Sequence, residues 1–135
     1  MKEIRVKLSK DDYSIFIEKG LINKVSSYIK EITRGNKIAL ITDDNIESIY
    51  GYRLRDHLKD HGFMVKNIVI KSGEPSKSIS VLQYIYEELL DFEVTRGGLI
   101  ITLGGGVVGD IGGFAAASYL RGIPFVQIPS SLLAA

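Results

Sequence analysis

Gly98-Leu99-Ile100-Ile101-Thr102-Leu103-Gly104-Gly105-Gly106-Val107-Val108-Gly109-Asp110 decides the reading of this chain. The first six residues of this stretch, almost all apolar, read as a strand. Three glycines end the strand. A helix of small residues then runs from about Val107 to Leu120, where Gly112, Gly113 and Ala115 to Ala117 allow close approach to a sheet. Strand, glycine turn and helix together make one half of a β-α-β unit. The other half is Ile123 to Ile128, a strand closed by Pro129.

The same alternation extends towards the N-terminus. Val65 to Ile70 reads as a strand, and Ser72-Gly73-Glu74-Pro75 breaks it. Ser78 is placed to cap a helix whose stripe is Ile79, Leu82, Ile85, Tyr86, Leu89 and Leu90. Lys37 to Thr42 is a further short apolar run, typical of a strand covered on both faces. Asp43-Asp44-Asn45 offers capping side chains to a helix with Ile46, Ile49, Tyr50, Leu54 and Leu58 on one face, ending at Gly62. A helix from about Leu21 to Ile32 comes before it. Two period-2 segments, Ile4-Val6-Leu8 and Tyr13-Ile15-Ile17, predict a β-hairpin with one buried face, turning at Ser9 to Asp12. Strand and helix in turn predict an α/β fold, with a mostly parallel sheet, right-handed crossovers and helices on both faces.

Composition narrows the class. The 135 residues fit one domain, spanning 1–135, and carry 17 basic and 16 acidic side chains for a formal charge of +1. That balance gives no bulk attraction to nucleic acid or an anionic membrane. There is no cysteine, hence no disulfide framework and no thiolate metal site. The longest apolar stretch is strand length, and the N-terminus lacks the continuous apolar run of a secretory signal. These features predict a soluble, cytoplasmic protein. Ser130 to Ala135 begins a helix and stops without a cap, so the sequence reads as truncated.

Ligands of open α/β sheets collect at the carboxyl ends of the strands. Three loops there are unusual. In Gly104 to Asp110, glycines let backbone approach an anion, and free N–H groups of a first helical turn point at it. A tight packing turn with Asp110 as a dipole-favoured acid explains the same residues. In Thr42-Asp43-Asp44-Asn45, a carboxylate can accept from a ribose diol or simply cap the helix. Ser72-Gly73-Glu74-Pro75-Ser76-Lys77 can contact a ribose and a phosphate, or be a solvated turn. Arg121-Gly122 is either a cation and glycine ending a helix or a bidentate phosphate clamp. His57 and His61 have a metal-compatible spacing, but no third ligand lies near in sequence, so no metal site is assigned to them.

Taken together, Leu103 to Asp110, Gly113-Phe114-Ala115-Ala116-Ala117, Tyr119-Leu120-Arg121-Gly122 and Gln127-Ile128-Pro129 resemble the signature of the 3-dehydroquinate synthase family. The upstream loops fall in the order and spacing that family shows. The resemblance spans most of the chain, weakly over the first 35 residues and strongly after Gly98.

The resemblance implies a Rossmann-like NAD-binding domain followed by a helical domain, absent from this chain, that carries a divalent metal (zinc or cobalt). It implies conversion of 3-deoxy-D-arabino-heptulosonate 7-phosphate to 3-dehydroquinate and phosphate, with NAD used transiently, by a homodimer. Gly105, Gly106, Val107, Val108, Gly109 and Asp110 would hold the pyrophosphate side. Asp43, Asp44, Asn45, Glu74 and Lys77 would hold the adenosine side. Ser130 and Ser131 would contact the cofactor, and Arg121 would bind the sugar-phosphate substrate. No catalytic residue and no metal ligand is assigned within the chain, which alone should be inactive. Other readings are a sister cyclase such as 2-deoxy-scyllo-inosose synthase or amino-dehydroquinate synthase, an iron-type glycerol or alcohol dehydrogenase, and a non-catalytic Rossmann-like module.

Overall fold

The computed structural model describes residues 2–7 and 24–130 in full and the backbone of 12–17. Within these, β1 (Lys2–Lys7) pairs antiparallel with β2 (Asp12–Ile17), with Val6 opposite Tyr13 and Ile4 opposite Ile15. The hairpin forms as expected, but not the expected buried face of β1: Ile4 is exposed and Val6 only half-buried. Two strands form a sheet of their own here, and a lone two-stranded sheet has no layer in which to bury a face. The expected turn, and Leu8 with it, lies outside the described residues.

A four-stranded parallel sheet forms the centre, in the order β4 (Met64–Ile70), β3 (Lys37–Asp43), β5 (Leu99–Gly104), β6 (Phe125–Pro129). The six residues of β5 and the central five of β3 are buried, as strands covered on both faces must be. One face packs Ile38, Leu40, Leu99 and Ile101 against Val25 and Ile29 of α1 (Val25–Ile32) and Leu54 and Leu58 of α3 (Tyr52–Asp60). The other packs Ala39, Ile41, Ile68 and Ile100 against Ile85 and Leu89 of α4 (Ile79–Asp91) and Ile111 and Ala115 of α5 (Gly106–Ser118). The predicted doubly covered sheet is therefore present. The start of the first helix, at Leu21 to Asn23, lies outside the described residues.

Helix α5 lies against β5 because Gly112 has no side chain. A Cβ there would stand 2.2 Å from Thr102 Cγ2. Ala115 and Ala116 are buried, but Ala117, expected at the sheet, faces solvent. The helix also ends sooner than Leu120. Tyr119–Arg121 is a 3-10 turn in which Leu120 and Arg121 have φ of 51° and 65°, followed by Gly122 at 106°. Three successive left-handed residues stop the helix, and the Ile123 N–H returns to the Ala116 carbonyl.

Two apolar stripes need correction. Beyond β3 the chain forms α2 (Asp44–Ile46), a π-helical turn Glu47–Gly51, and then α3. The π turn inserts one residue, so the face passes from Ile46 to Gly51, Leu54 and Leu58. Ile49 and Tyr50 turn outward, 50% and 41% exposed. On α4 the inward face is Ile85 and Leu89, with Leu82 and Tyr86 at its margin. Ile79 and Leu90, at the two ends, are exposed.

Candidate nucleotide-binding site

Strand order 4-3-5-6 changes direction between β3 and β5. The helices leaving β3 cover one face and α5, leaving β5, covers the other. A crevice therefore opens at the carboxyl ends of these two strands, the position where open α/β sheets take ligands. Thr42, buried at its mouth, donates its hydroxyl to the Leu103 carbonyl at 2.7 Å and pins the two strand ends together.

Asp43 to Asn45 stand on the β3 side. Asp43 Oδ1 accepts from the Ile46 N–H at 2.8 Å, which realises the capping reading of this residue. Asp44 Oδ1 accepts from the Asn45 and Ser72 N–H groups, each at 3.0 Å. The donated bond from Ser72 is the main reason the Asp44 carboxyl sits below its ordinary range. Asn45 Nδ2 donates to Ser72 Oγ at 3.1 Å. The loops after β3 and after β4 are thus tied to one another. Ser72 is their common partner, a role that single-loop reading could not supply.

The loop after β4 is a built turn anchored by Ser76, with Gly73, Glu74, Pro75 and Lys77 exposed to solvent. Gly73 takes φ 109°, Glu74–Ser76 forms a 3-10 turn, and buried Ser76 donates its hydroxyl to the Lys71 carbonyl. Ser78 then caps α4 by accepting from the Val81 N–H at 3.2 Å, as expected. The turn delivers Lys77 to α5. Its Nζ lies 2.8 Å from Asp110 Oδ2 and 3.4 Å from Glu74 Oε2. The bond to Asp110 leads the causes that raise the Lys77 pKa.

On the β5 side, Gly105 is the N-cap of α5 and no side chain caps the helix. The first N–H groups of a helix have no intrahelical partner. At Gly106 a Cβ would meet nothing within 4 Å, so the first turn of the helix has open space beside it. An uncapped 13-residue helix with an open glycine at its first turn fits a pyrophosphate. Gly109 has a different reason to be glycine: a Cβ would come 2.9 Å from Gln127 Nε2 on β6. Ser130 reaches the same place, its N–H donating to the Gly104 carbonyl at 2.8 Å. Ser131 lies outside the described residues.

The structure thus gathers Asp43, Asp44, Asn45, Glu74, Lys77, Gly105 to Asp110 and Ser130 at one edge of the sheet. Arg121 is not with them. It follows the end of α5, at the opposite edge, roughly 20 Å away by the rise of a 13-residue helix. His57 lies in the second half of α3, and His61 follows its last residue. The Ser26 N–H donates to His57 Nε2 at 3.4 Å, and His61 Nδ1 lies 2.8 Å from the His57 carbonyl. Among the described residues no group of three potential metal ligands occurs, so no divalent-metal site can be built from them. No helix among them is long and apolar enough to cross a membrane.

Residues 67–135 match the family model described as 3-dehydroquinate synthase N-terminal. The chain belongs to that family. It is 56% identical to a 3-dehydroquinate synthase from Clostridium acetobutylicum and 54% identical to one from Clostridium botulinum, in each case over 99% of this chain and 38% of that protein. The chain therefore spans somewhat over a third of the length of these relatives. Among solved structures, a 2-deoxy-scyllo-inosose synthase complexed with carbaglucose-6-phosphate, NAD+ and Co2+ aligns with a TM-score of 0.88 at 20% identity. It covers 98% of this chain and 36% of that one. A 2-epi-5-epi-valiolone synthase from Streptomyces hygroscopicus with NAD+ and Zn2+ bound aligns at 0.77 and 26% identity, over 94% of this chain and 35% of that one. The family and the fold of sugar-phosphate cyclases thus agree.

Proposed function

We propose that this chain is the NAD-binding domain of a 3-dehydroquinate synthase, a phosphate-eliminating lyase that converts 3-deoxy-D-arabino-heptulosonate 7-phosphate to 3-dehydroquinate in the cytoplasm. The carrying observation is the convergence of three loops on the β3–β5 crevice, joined by the Asp44–Ser72 and Lys77–Asp110 contacts. Identity of 54–56% to named synthases, against 20% to the inosose synthase, favours this substrate over those of sister cyclases.

In this reading the free N–H groups after Gly105 receive the pyrophosphate. Lys77 exchanges one carboxylate partner for a phosphate oxygen. Asp43 and Asp44 retain a carboxylate oxygen each for ribose hydroxyls, and Asn45, Glu74 and Ser130 border the same pocket, with Ser131 following. NAD, when bound, supplies a hydride acceptor that is restored within one turnover. The chain's own residues bind and orient. They supply no acid, base or metal ligand that we assign to the chemistry, and a zinc or cobalt ion would need ligands from a further helical domain.

Arg121 cannot reach the crevice of its own chain across the length of α5. We assign it to the substrate phosphate of a second copy, in a homodimer. Mixing an R121A chain with a K77M chain in the full-length enzyme, assayed at NAD too dilute to load the K77M crevice, should then restore part of the activity. No recovery in proven mixed dimers would remove Arg121 from the substrate.

The reaction itself is tested by a coupled assay of the full-length enzyme with the seven-carbon sugar phosphate, catalytic NAD and a divalent metal. Phosphate release without net NADH is the expected result. Net NADH from simple polyols, with no phosphate released, would move the chain to the dehydrogenase branch.

A further inference from the structure

At the edge of the sheet opposite the nucleotide loops, a cavity of about 340 Å³ is lined by Arg34, Arg96, Gly97, Gly122, Ile32 and Pro124, among others. Its two arginines come from separate loops. Arg34 stands between α1 and β3, and Arg96 between α4 and β5. Those loops are clamped together. The Gly35 N–H donates to the Gly97 carbonyl at 3.1 Å, Thr33 Oγ1 reaches the same carbonyl at 3.5 Å, and a Cβ on Gly35 would strike it at 2.7 Å. The backbones that carry the two guanidinium groups are therefore fixed relative to each other.

Neither arginine has an ion pair or hydrogen-bond partner among the described residues. Cations commonly sit at this edge to offset helix C-termini, and that duty is already filled. Lys37 Nζ takes the Phe92 carbonyl at 2.8 Å and the Glu93 carbonyl at 3.5 Å, closing the end of α4. The end of α1 is closed by the Thr33 N–H on the Ile29 carbonyl at 3.1 Å. The cavity thus combines two planar forks, without partners among the described residues and able to match an oxyanion bidentately, with an apolar wall from Ile32, Ile123 and Pro124.

We propose that this cavity is a second ligand site, one that takes the phosphate or carboxylate group of a small organic anion independently of the nucleotide crevice. The wall of Ile32, Ile123 and Pro124 would carry the organic part.

The test uses the full-length polypeptide saturated with ADP-ribose, so that the crevice is filled. Glucose 6-phosphate and citrate are titrated separately while the assigned Nε–Hε signals of Arg34 and Arg96 are followed by NMR. Both signals should move together and saturate with at least one probe. The probe that does so identifies the ligand group as phosphate ester or carboxylate. R34Q/R96Q should weaken binding tenfold or more with ADP-ribose affinity unchanged. If that variant does not fold, R34K/R96K keeps the charge and loses the fork, and a several-fold loss is expected. Linear, non-saturating shifts with both probes would overturn the proposal. So would wild-type affinity in the folded variant, or an equal loss on changing Arg53 and Arg55 to Gln on α3.

Discussion

Lys77 Nζ and Asp110 Oδ2 stand 2.8 Å apart and join the turn after β4 to the first turn of α5. The pair brings together two loops 33 residues apart in sequence, with Glu74 as a second, longer partner at 3.4 Å. Both side chains are solvent-accessible, so the bond adds little to stability. Its weight falls on placement: Lys77 is held beside the uncapped helix before any anion arrives.

K77M should therefore weaken ADP-ribose binding to the full-length enzyme by roughly tenfold, the loss of one charge-assisted bond, with a nearly unchanged melting temperature. Calorimetric titration reads the first and thermal unfolding the second. D110N should bring the Lys77 pKa back down towards its ordinary value, which NMR titration of the Nζ signal measures, and should also change the ADP-ribose affinity. Because the native pKa is raised, any stability from the pair is present below about pH 10.5 and fades only as pH rises through the raised value. Near neutral pH the contact should be insensitive to pH. Unchanged ADP-ribose affinity in both variants would detach the glycine turn from the cofactor.

Asp43 offers a way to separate capping from ligand contact. Asn caps as well as Asp, whereas Ala forfeits about 1 kcal/mol. D43A should lower unfolding free energy by about that amount, and D43N should leave it unchanged. If the free oxygen of Asp43 also accepts from a ribose, both variants lose nucleotide affinity. If capping is its sole duty, D43N binds as the native chain does, and the ribose role falls to Asp44.

Gly112 and Thr102 share one space. G112A gains helix propensity but drives a methyl into Thr102 Cγ2, so we expect a net loss of about 1–3 kcal/mol, the range of core overpacking. T102S removes that methyl, and G112A/T102S should recover most of the loss. Urea unfolding of the four chains measures the coupling. Additive effects would mean that α5 shifts away from β5 rather than meeting Thr102.

His57 makes stability pH-dependent near neutrality. Its pKa lies below 6.5, first because of burial and then because of His61. The neutral ring accepts from the Ser26 N–H through Nε2, a bond the protonated ring cannot accept. The unfolded chain therefore takes up the proton first as pH falls. Stability should be full above about pH 6.5 and decline below it until the lowered native pKa is passed. In H57Q the decline over that interval should disappear. An unaltered slope would place the titrating group elsewhere.

The sheet was legible from short apolar runs because β3 and β5 are covered on both faces, and such strands need no polar alternation. The Ser78 cap and the glycine-rich strand-to-helix turn were legible for the same local reason: each depends on neighbours within a few residues. What could not be read was set by contacts distant in sequence. Ser72 draws its meaning from Asp44 and Asn45, nearly thirty residues earlier. Arg121 looks like part of the site until strand direction places it at the far edge. Ile49 and Tyr50 fit a 3.6-residue stripe, and only the extra residue of the π turn turns them outward. The buried face expected of β1 failed because periodicity reports a two-sided strand without reporting what lies against it.

That π turn also sets the timing of a screw. In it the Glu47 carboxylate accepts from Asn67 Nδ2 at 2.8 and 3.0 Å and occupies the space where a Cβ on Gly51 would stand, 2.1 Å from Oε2. Before the turn, the helix is phased to the capping loop and hence to the crevice. After it, the helix is phased to Leu54 and Leu58 in the core. Deleting one residue between Glu47 and Gly51 would leave Ile46, Leu54 and Leu58 on one face of an ordinary α-helix, but without the widened turn that receives the Glu47 carboxylate beside Asn67. The segment should therefore tolerate the loss of one residue better than the gain of one, which would turn Leu54 and Leu58 about 100° away from the core.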